Sequence, residues 1–129
     1  MKINKVLCIE DTQEKYMDVY SYLRNRQGVS EVDWAEDAES AIKYVEESIR
    51  KGEAYDLIVS DMNFDFFGKD DLEAGEKTLK MIRDKGCDTP VIFCSSQNWD
   101  IPGAFGNIFY NPDRDWEFEA DKLFKKLKK

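Results

Sequence analysis

The chain has 129 residues, 42% hydrophobic and 13% aromatic, with a formal net charge of -8 and no histidine. A chain of this length suits one domain over residues 1–129 with a core of its own; its acidity disfavours nucleic-acid phosphates as a partner, and without histidine neither imidazole acid–base catalysis nor a histidine metal site is open to it. No apolar run nears the roughly 20 residues of a spanning helix, and the Met-Lys start lacks a signal-peptide segment, so the expectation is a cytoplasmic protein that engages no membrane.

The first apolar run, Val6 to Ile9, has strand length and stops on the acidic pair Glu10-Asp11. Tyr16, Val19, Tyr20 and Leu23 then follow the i, i+3, i+4, i+7 spacing of a helix with one apolar face. A second strand is expected over Val32 to Ala35, followed by a helix carrying Ala38, Ala41, Ile42, Val45 and, a turn later, Ile49. Gly52 after Lys51 is placed as a helix stop. The third run, Leu57 to Ser60, again ends in acid, at Asp61, with Asn63 two residues later. Gly75 opens a helix that closes with Met81-Ile82-Arg83 before a second stop at Gly86. Strands at Val91 to Cys94 and Ile108 to Tyr110 precede a last helix with the apolar stripe Trp116, Ala120, Leu123, Phe124 and Leu127. Its KKLKK tail reads as positive charge complementing the helix dipole. The three cysteines, Cys8, Cys87 and Cys94, have no metal-ligand spacing and read as reduced packing residues.

Strands alternating with helices imply right-handed crossovers and a parallel sheet covered on both faces, which explains the unbroken apolar runs. The expected fold is therefore α/β: a doubly wound, five-stranded, flavodoxin-like sheet of order 2-1-3-4-5. That order makes the first and third strands neighbours and brings Glu10, Asp11 and Asp61 together at their carboxyl ends. Carboxylates that close repel, by about 1 kcal/mol per pair in water and about 4 at an effective dielectric of 20. A hard cation held by oxygen, with Mg²⁺ the natural choice, would offset that repulsion. Asp11 also reads as a helix N-cap, with Glu14 completing a capping box; this accounts for Asp11 and leaves Asp61 unexplained.

The arrangement resembles the CheY-like receiver domain of bacterial response regulators. The residues that carry the resemblance are Glu10-Asp11, Asp61-Met62-Asn63, Gly75 with Met81-Ile82-Arg83, and Pro90-Val91-Ile92-Phe93-Cys94-Ser95. The resemblance implies a stand-alone receiver in two-component phosphorelay signalling, with Asp61 taking a phosphoryl group from a sensor histidine kinase or phosphotransfer protein and docking onto an unknown downstream protein as output. It implies that Mg²⁺ is held by Asp11, Asp61 and the backbone carbonyl of Asn63, with Glu10 helping through water, and that Ser95 donates its hydroxyl to the phosphoryl group. Such a domain is a phosphoacceptor with self-phosphorylation and dephosphorylation chemistry only, rather than an enzyme. Aspartyl phosphates are established covalent intermediates, and phosphoryl transfer draws most of its rate from positioning and charge neutralisation.

The chain departs from that family in three places. Asn111-Pro112 stands where the family carries a lysine that contacts the phosphoryl group, and Lys69, in a loop near the site, is a candidate substitute. Asp61 to Gly75 spans fourteen positions, with the aromatic and acidic stretch FDFFGKDDLEA, longer than usual in the family. Ser95 to Asn111 spans only sixteen and contains Pro102, Gly103 and Gly106, so the fourth helix is expected to be shortened or missing. Phe64, Phe66, Phe67, Trp99, Ile101 and Phe105 are expected to pack over the vacated surface. The family's switch aromatic falls at Ile108, with Phe109 and Tyr110 following on alternate faces.

Other readings compete. A pseudo-receiver would keep the fold and bind partners without phosphate, which Asn111 favours. A small Mg²⁺-dependent phosphatase or nuclease would use the same acids, but there is no further general base and little room for a substrate cap. Flavin binding is disfavoured because DTQEK after the first strand is acid-fronted where a flavin phosphate needs neutral donors.

Overall fold

The computed structural model describes residues 2–129. One parallel sheet has five strands: β1 (Lys5–Ile9), β2 (Glu31–Ala35), β3 (Leu57–Ser60), β6 (Val91–Ser95) and β7 (Gly106–Phe109). Their spatial order is β2-β1-β3-β6-β7, which is the expected 2-1-3-4-5 for the five predicted runs. A two-stranded antiparallel hairpin, β4 (Phe64–Asp65) with β5 (Asp70–Asp71), projects after β3.

Strand alternation sorts the core into two layers. Val6 and Cys8 of β1, Leu57 and Val59 of β3, and Ile92 and Cys94 of β6 pack against α1 (Gln13–Ser21) and α4 (Trp116–Leu127). Leu7, Ile9, Ile58, Val91 and Phe93 face the opposite way, toward α2 (Ala38–Lys51) and α3 (Ala74–Asp84). Both faces of the central strands are thus covered, as a parallel sheet requires. No helix among the described residues is long and apolar enough to cross a membrane.

Local chemistry sets the helix limits. Asp37 caps α2 by accepting the Ser40 amide at 2.7 Å, and Gly52 ends it in the left-handed region at φ 69°. Asp115 accepts the Phe118 amide at 3.1 Å at the start of α4. Beyond Ser21 the first helix widens into a π turn over Tyr22–Arg26, which the sequence spacing did not signal. Ile49 is a correction: it is exposed, and Ser48 takes the inward position, its hydroxyl donating to the Val45 carbonyl at 2.7 Å.

No helix joins β6 to β7. The connection lies on the α2–α3 side, and Trp99, Ile101 and Ala104 from it pack against that core layer. Phe64 is fully buried and Phe66 packs against the same core layer, whereas Phe67 and Phe105 remain exposed. Phe67 has a φ of 53° and Gly68 one of 97°. Positive φ at both central positions is the pattern of the two-residue turn that matches strand twist in a hairpin. Ile108 and Tyr110 point into the α1–α4 layer while Phe109 takes the other face, beneath the Arg114 guanidinium at 4.7 Å.

Candidate functional site

The register that pairs Ile9 with Ser60 brings two acidic strand ends level. The Asp61 amide donates to the Ile9 carbonyl at 2.9 Å, and the Glu10 amide donates to the Ala35 carbonyl at 2.9 Å, so both residues extend the sheet by one rung. One carboxylate oxygen each from Glu10, Asp11 and Asp61 lies within 4.8 Å of the others. The acids separated by some fifty residues of chain therefore do meet.

Gly75 holds the third strand end in place. A Cβ there would stand 2.6 Å from the Asp61 carbonyl oxygen and 2.8 Å from a Phe93 ring carbon, so α3 approaches this closely only because residue 75 has no side chain. The Gly75 amide donates to the Met62 carbonyl at 2.9 Å.

A lysine threads the carboxylates. Lys15 Nζ lies 3.0 Å from Glu10 Oε1 and 3.2 Å from Asp61 Oδ1, and it donates to the Cys94 carbonyl at 2.5 Å. Its side chain is 12% exposed, that of Glu10 3% and that of Asp61 16%, so the ion pairs are shielded while Asp61 still reaches solvent. Burial works against the Lys15 ammonium, but negative charge on Cys94, once ionised, and on the Glu10 and Asp61 carboxylates outweighs it and holds its pKa above the ordinary lysine value. Burial pushes the Glu10 carboxyl up to about 7, against the pull of Lys15, and pushes the Cys94 thiol up to about 12.

The acid's two oxygens differ. Asp61 Oδ1 accepts the Met62 amide at 2.8 Å as well as facing Lys15. Oδ2 accepts a hydrogen bond from no described residue. Asp61 stands between two clefts. One, of about 580 Å³, opens between α1 and the end of β7 and is lined by Glu10, Lys15, Asp61, Tyr110 and Asn111. The other, of about 220 Å³, holds Asp61 with Asn63, Ser95 and Trp99. Ser95 is buried, and its hydroxyl oxygen accepts from the Trp99 indole N–H at 3.2 Å and the Gln97 amide at 3.3 Å. Its own proton is left to donate.

Several expectations resolve differently. Asp11 does not cap α1: Thr12 is the cap residue and makes no side-chain cap bond, while the Thr12 amide donates to Glu10 Oε2 at 3.1 Å. Asp11 is instead exposed at the rim of the cluster. Lys69 is exposed on the hairpin and, among the described residues, forms no ion pair with Glu10, Asp11 or Asp61; the ammonium that pairs with Glu10 and Asp61 is that of Lys15. Asn111 spends its side chain locally, Oδ1 accepting the Asp113 amide at 2.9 Å.

Lys15 was not singled out from the sequence, although one signal was there. It sits in the first turn of α1, where the helix dipole disfavours a cation. A lysine placed against that preference needs a local anion, and Glu10 lies five residues before it.

All the converging donors are hard oxygens, and one ammonium against three carboxylates leaves the cluster net negative. That donor set fits Mg²⁺, which prefers oxygen and binds through a few carboxylates. A solvent-reaching carboxylate with one unengaged oxygen, beside groups able to neutralise charge, has the parts that phosphoryl transfer to a carboxylate calls for.

A family model described as response regulator receiver domain matches residues 6–102. No curated protein matches. Among solved structures, a two-component response regulator from Cytophaga hutchinsonii is 18% identical with a TM-score of 0.74, 98% of each chain being covered. A DNA-binding response regulator of the LuxR family from Staphylococcus aureus is 15% identical with a TM-score of 0.71, over 98% of this chain and 100% of that one. The response regulator TrrA from Thermotoga maritima, in complex with Mg²⁺-BeF, is 20% identical with a TM-score of 0.65, over 97% of this chain and 99% of that one. At such identities the likeness is one of fold.

Proposed function

The chain belongs to the response regulator receiver domains, and from that premise we propose that Asp61 accepts a phosphoryl group from the phosphohistidine of a sensor histidine kinase or phosphotransfer protein. The phosphorylated domain then signals by docking onto a downstream partner. Receiver domains are signalling domains rather than classical enzymes. The observation that carries the reading is the Asp61 carboxylate: it reaches solvent, its Oδ2 is unengaged, and Glu10 and Asp11 oxygens lie within 4.8 Å. Free cysteines at positions 8, 87 and 94 fit the reducing cytoplasm as the compartment.

In this reading the lone pair of Asp61 Oδ2 attacks phosphorus as the bond to the donor's imidazole nitrogen breaks and its electrons return to the ring. Asp11, Asp61 and the Asn63 carbonyl would hold Mg²⁺, with Glu10 supporting them, and the ion supplies charge neutralisation for the phosphoryl oxygens. The Mg²⁺-BeF complex of the Thermotoga relative supports this assignment. Ser95 keeps a hydroxyl proton for a phosphoryl oxygen on the opposite side of the acid from the α1 cleft.

A second reading, a pseudo-receiver that binds partners without phosphate, is favoured by one observation: Asn111 offers no charge and its side chain is engaged in its own turn. Incubation with Mg²⁺ and a small acyl phosphate, followed by intact mass, separates the two. We expect one added phosphoryl group on the wild type and none on Asp61→Asn. An unmodified wild type that still binds its partner would favour the pseudo-receiver.

A further inference from the structure

We propose that Lys15, from the first turn of α1, is the cation that pairs with the phosphoryl group once it is attached to Asp61. The proposal rests on reading Asp61 as the phosphoacceptor.

Three observations carry it. Lys15 is the lysine that ion-pairs with both Glu10 and Asp61, and its third contact, the Cys94 carbonyl, anchors it at the end of β6. The Nζ thus sits where three strand ends converge, beside the acid that would react. It is also held there deliberately. The stem is buried, the ammonium passes over the Tyr110 ring at 5.3 Å, and Tyr110 is in turn fixed by donating its hydroxyl to Asp18 at 2.6 Å. Finally, the end of β7 offers no charge, because Asn111 is neutral and its side chain is engaged in its own turn.

The electrostatics favour a transfer of partner. At rest the ammonium shares Asp61 Oδ1 with the Met62 amide. A phosphoryl group bonded to Oδ2 brings a dianion to the same carboxyl group while removing the acid's own charge. A lysine carries three donors on a flexible stem, so Nζ can exchange its contact with Oδ1 for a phosphoryl oxygen without leaving Glu10 or the Cys94 carbonyl. Phosphoryl transfer spreads charge over three equatorial oxygens, and a cation already beside the acid meets that charge with that one exchange of contact.

With an acyl phosphate as donor the step balances without a proton. The Oδ2 lone pair forms the new P–O bond, the P–O bond to the acyl group breaks, and its electron pair leaves with the carboxylate product.

The experiment compares wild type, Lys15→Met and Lys15→Arg with acetyl phosphate at saturating Mg²⁺, following added phosphate by intact mass. Mg²⁺ binding is followed separately in each protein by its melting-temperature shift. Loss of one preorganised partner predicts a rate lower by about a hundredfold in Lys15→Met, with Lys15→Arg between that and wild type. Mg²⁺ should still stabilise Lys15→Met, at a lower concentration than wild type needs, because a competing positive charge has gone. Phosphorylation of Lys15→Met at the wild-type rate overturns the proposal and leaves Asp61 standing. Loss of the Mg²⁺ response in Lys15→Met also overturns it, since the lysine would then only prop the carboxylates. A wild type that takes no phosphate overturns it together with the reading of Asp61.

Discussion

The indole N–H of Trp99 donates to the hydroxyl oxygen of Ser95 at 3.2 Å, inside the cleft that also contains Asp61. A residue from the remodelled β6–β7 connection is therefore tied to the hydroxyl that would meet a phosphoryl group. If Ser95 turns toward that group, the Trp99 bond lengthens and the indole environment changes. Addition of Mg²⁺ with fluoroberyllate should alter the tryptophan emission of wild type and of Trp116→Phe, and most of that change should vanish in Trp99→Phe. Unchanged emission in wild type would show that Ser95 and Trp99 do not move together.

Gly75 sets the position of Asp61 through the backbone. Gly75→Ala places a methyl group 2.6 Å from the Asp61 carbonyl and 2.8 Å from Phe93, both in a closely packed core with little room to yield. The expected loss is about 1–3 kcal/mol by urea unfolding, the range for overpacking, together with weaker Mg²⁺ binding because the strand end shifts. Wild-type stability in Gly75→Ala would mean that α3 can retreat freely.

Glu10 should make the stability of the metal-free protein depend on pH. Its carboxyl is raised to about 7 from the ordinary 4.5, burial being the first cause, with Lys15 opposing and Asp61 adding to it. The folded state holds this proton more tightly than the unfolded chain does, so Glu10's contribution is fully present below about pH 4.5 and is lost as pH rises through about 7. Compared with Glu10→Gln, which cannot ionise, wild type without metal should lose stability across that window, by at most about 3 kcal/mol at 1.36 kcal/mol per pH unit. Denaturant melts of both proteins in a metal-free pH series measure it, and parallel curves would remove Glu10 from the account.

Mg²⁺ should act as a folding ligand. An ion that binds only the folded state at about 100 times its dissociation constant adds about 2.7 kcal/mol. The melting temperature of wild type should rise with Mg²⁺, and Asp11→Ala and Asp61→Ala should each abolish the rise. Persistence of the shift in both variants would place the ion elsewhere.

Much of this site was legible because it lies where two simple patterns end. The apolar runs at Val6 to Ile9 and Leu57 to Ser60 are strands buried on both faces, and their sharp termination in Glu10-Asp11 and Asp61 is visible without any fold. Parallel register then does the rest. That the fourth helix would be shortened or missing was also legible, since the connection is short and Pro102, Gly103 and Gly106 would break a long helix. The hairpin was not legible. Its strands are two residues long, one of them Asp70-Asp71, and its turn asks a phenylalanine, Phe67, to adopt a positive φ that only the surrounding structure imposes. Lys15 was hidden for a different reason. Its partner Asp61 is 46 residues away by number, and nothing local reveals that a flexible side chain crosses the strand ends to reach it. Ile49 failed through helical phase: over the last turn of α2 it is Ser48 that faces inward, its hydroxyl satisfied by the Val45 carbonyl.

Where the phosphoryl group attaches decides whether Asp61 is the acceptor. Wild-type protein treated with acetyl phosphate and Mg²⁺, then reduced with borohydride, converts an acyl-phosphorylated aspartate to homoserine, which peptide mass spectrometry locates. Homoserine at position 61 and nowhere else is the result predicted. Phosphate recovered with homoserine absent from position 61, or found at Glu10, Asp11 or a hydroxyl instead, would contradict the account.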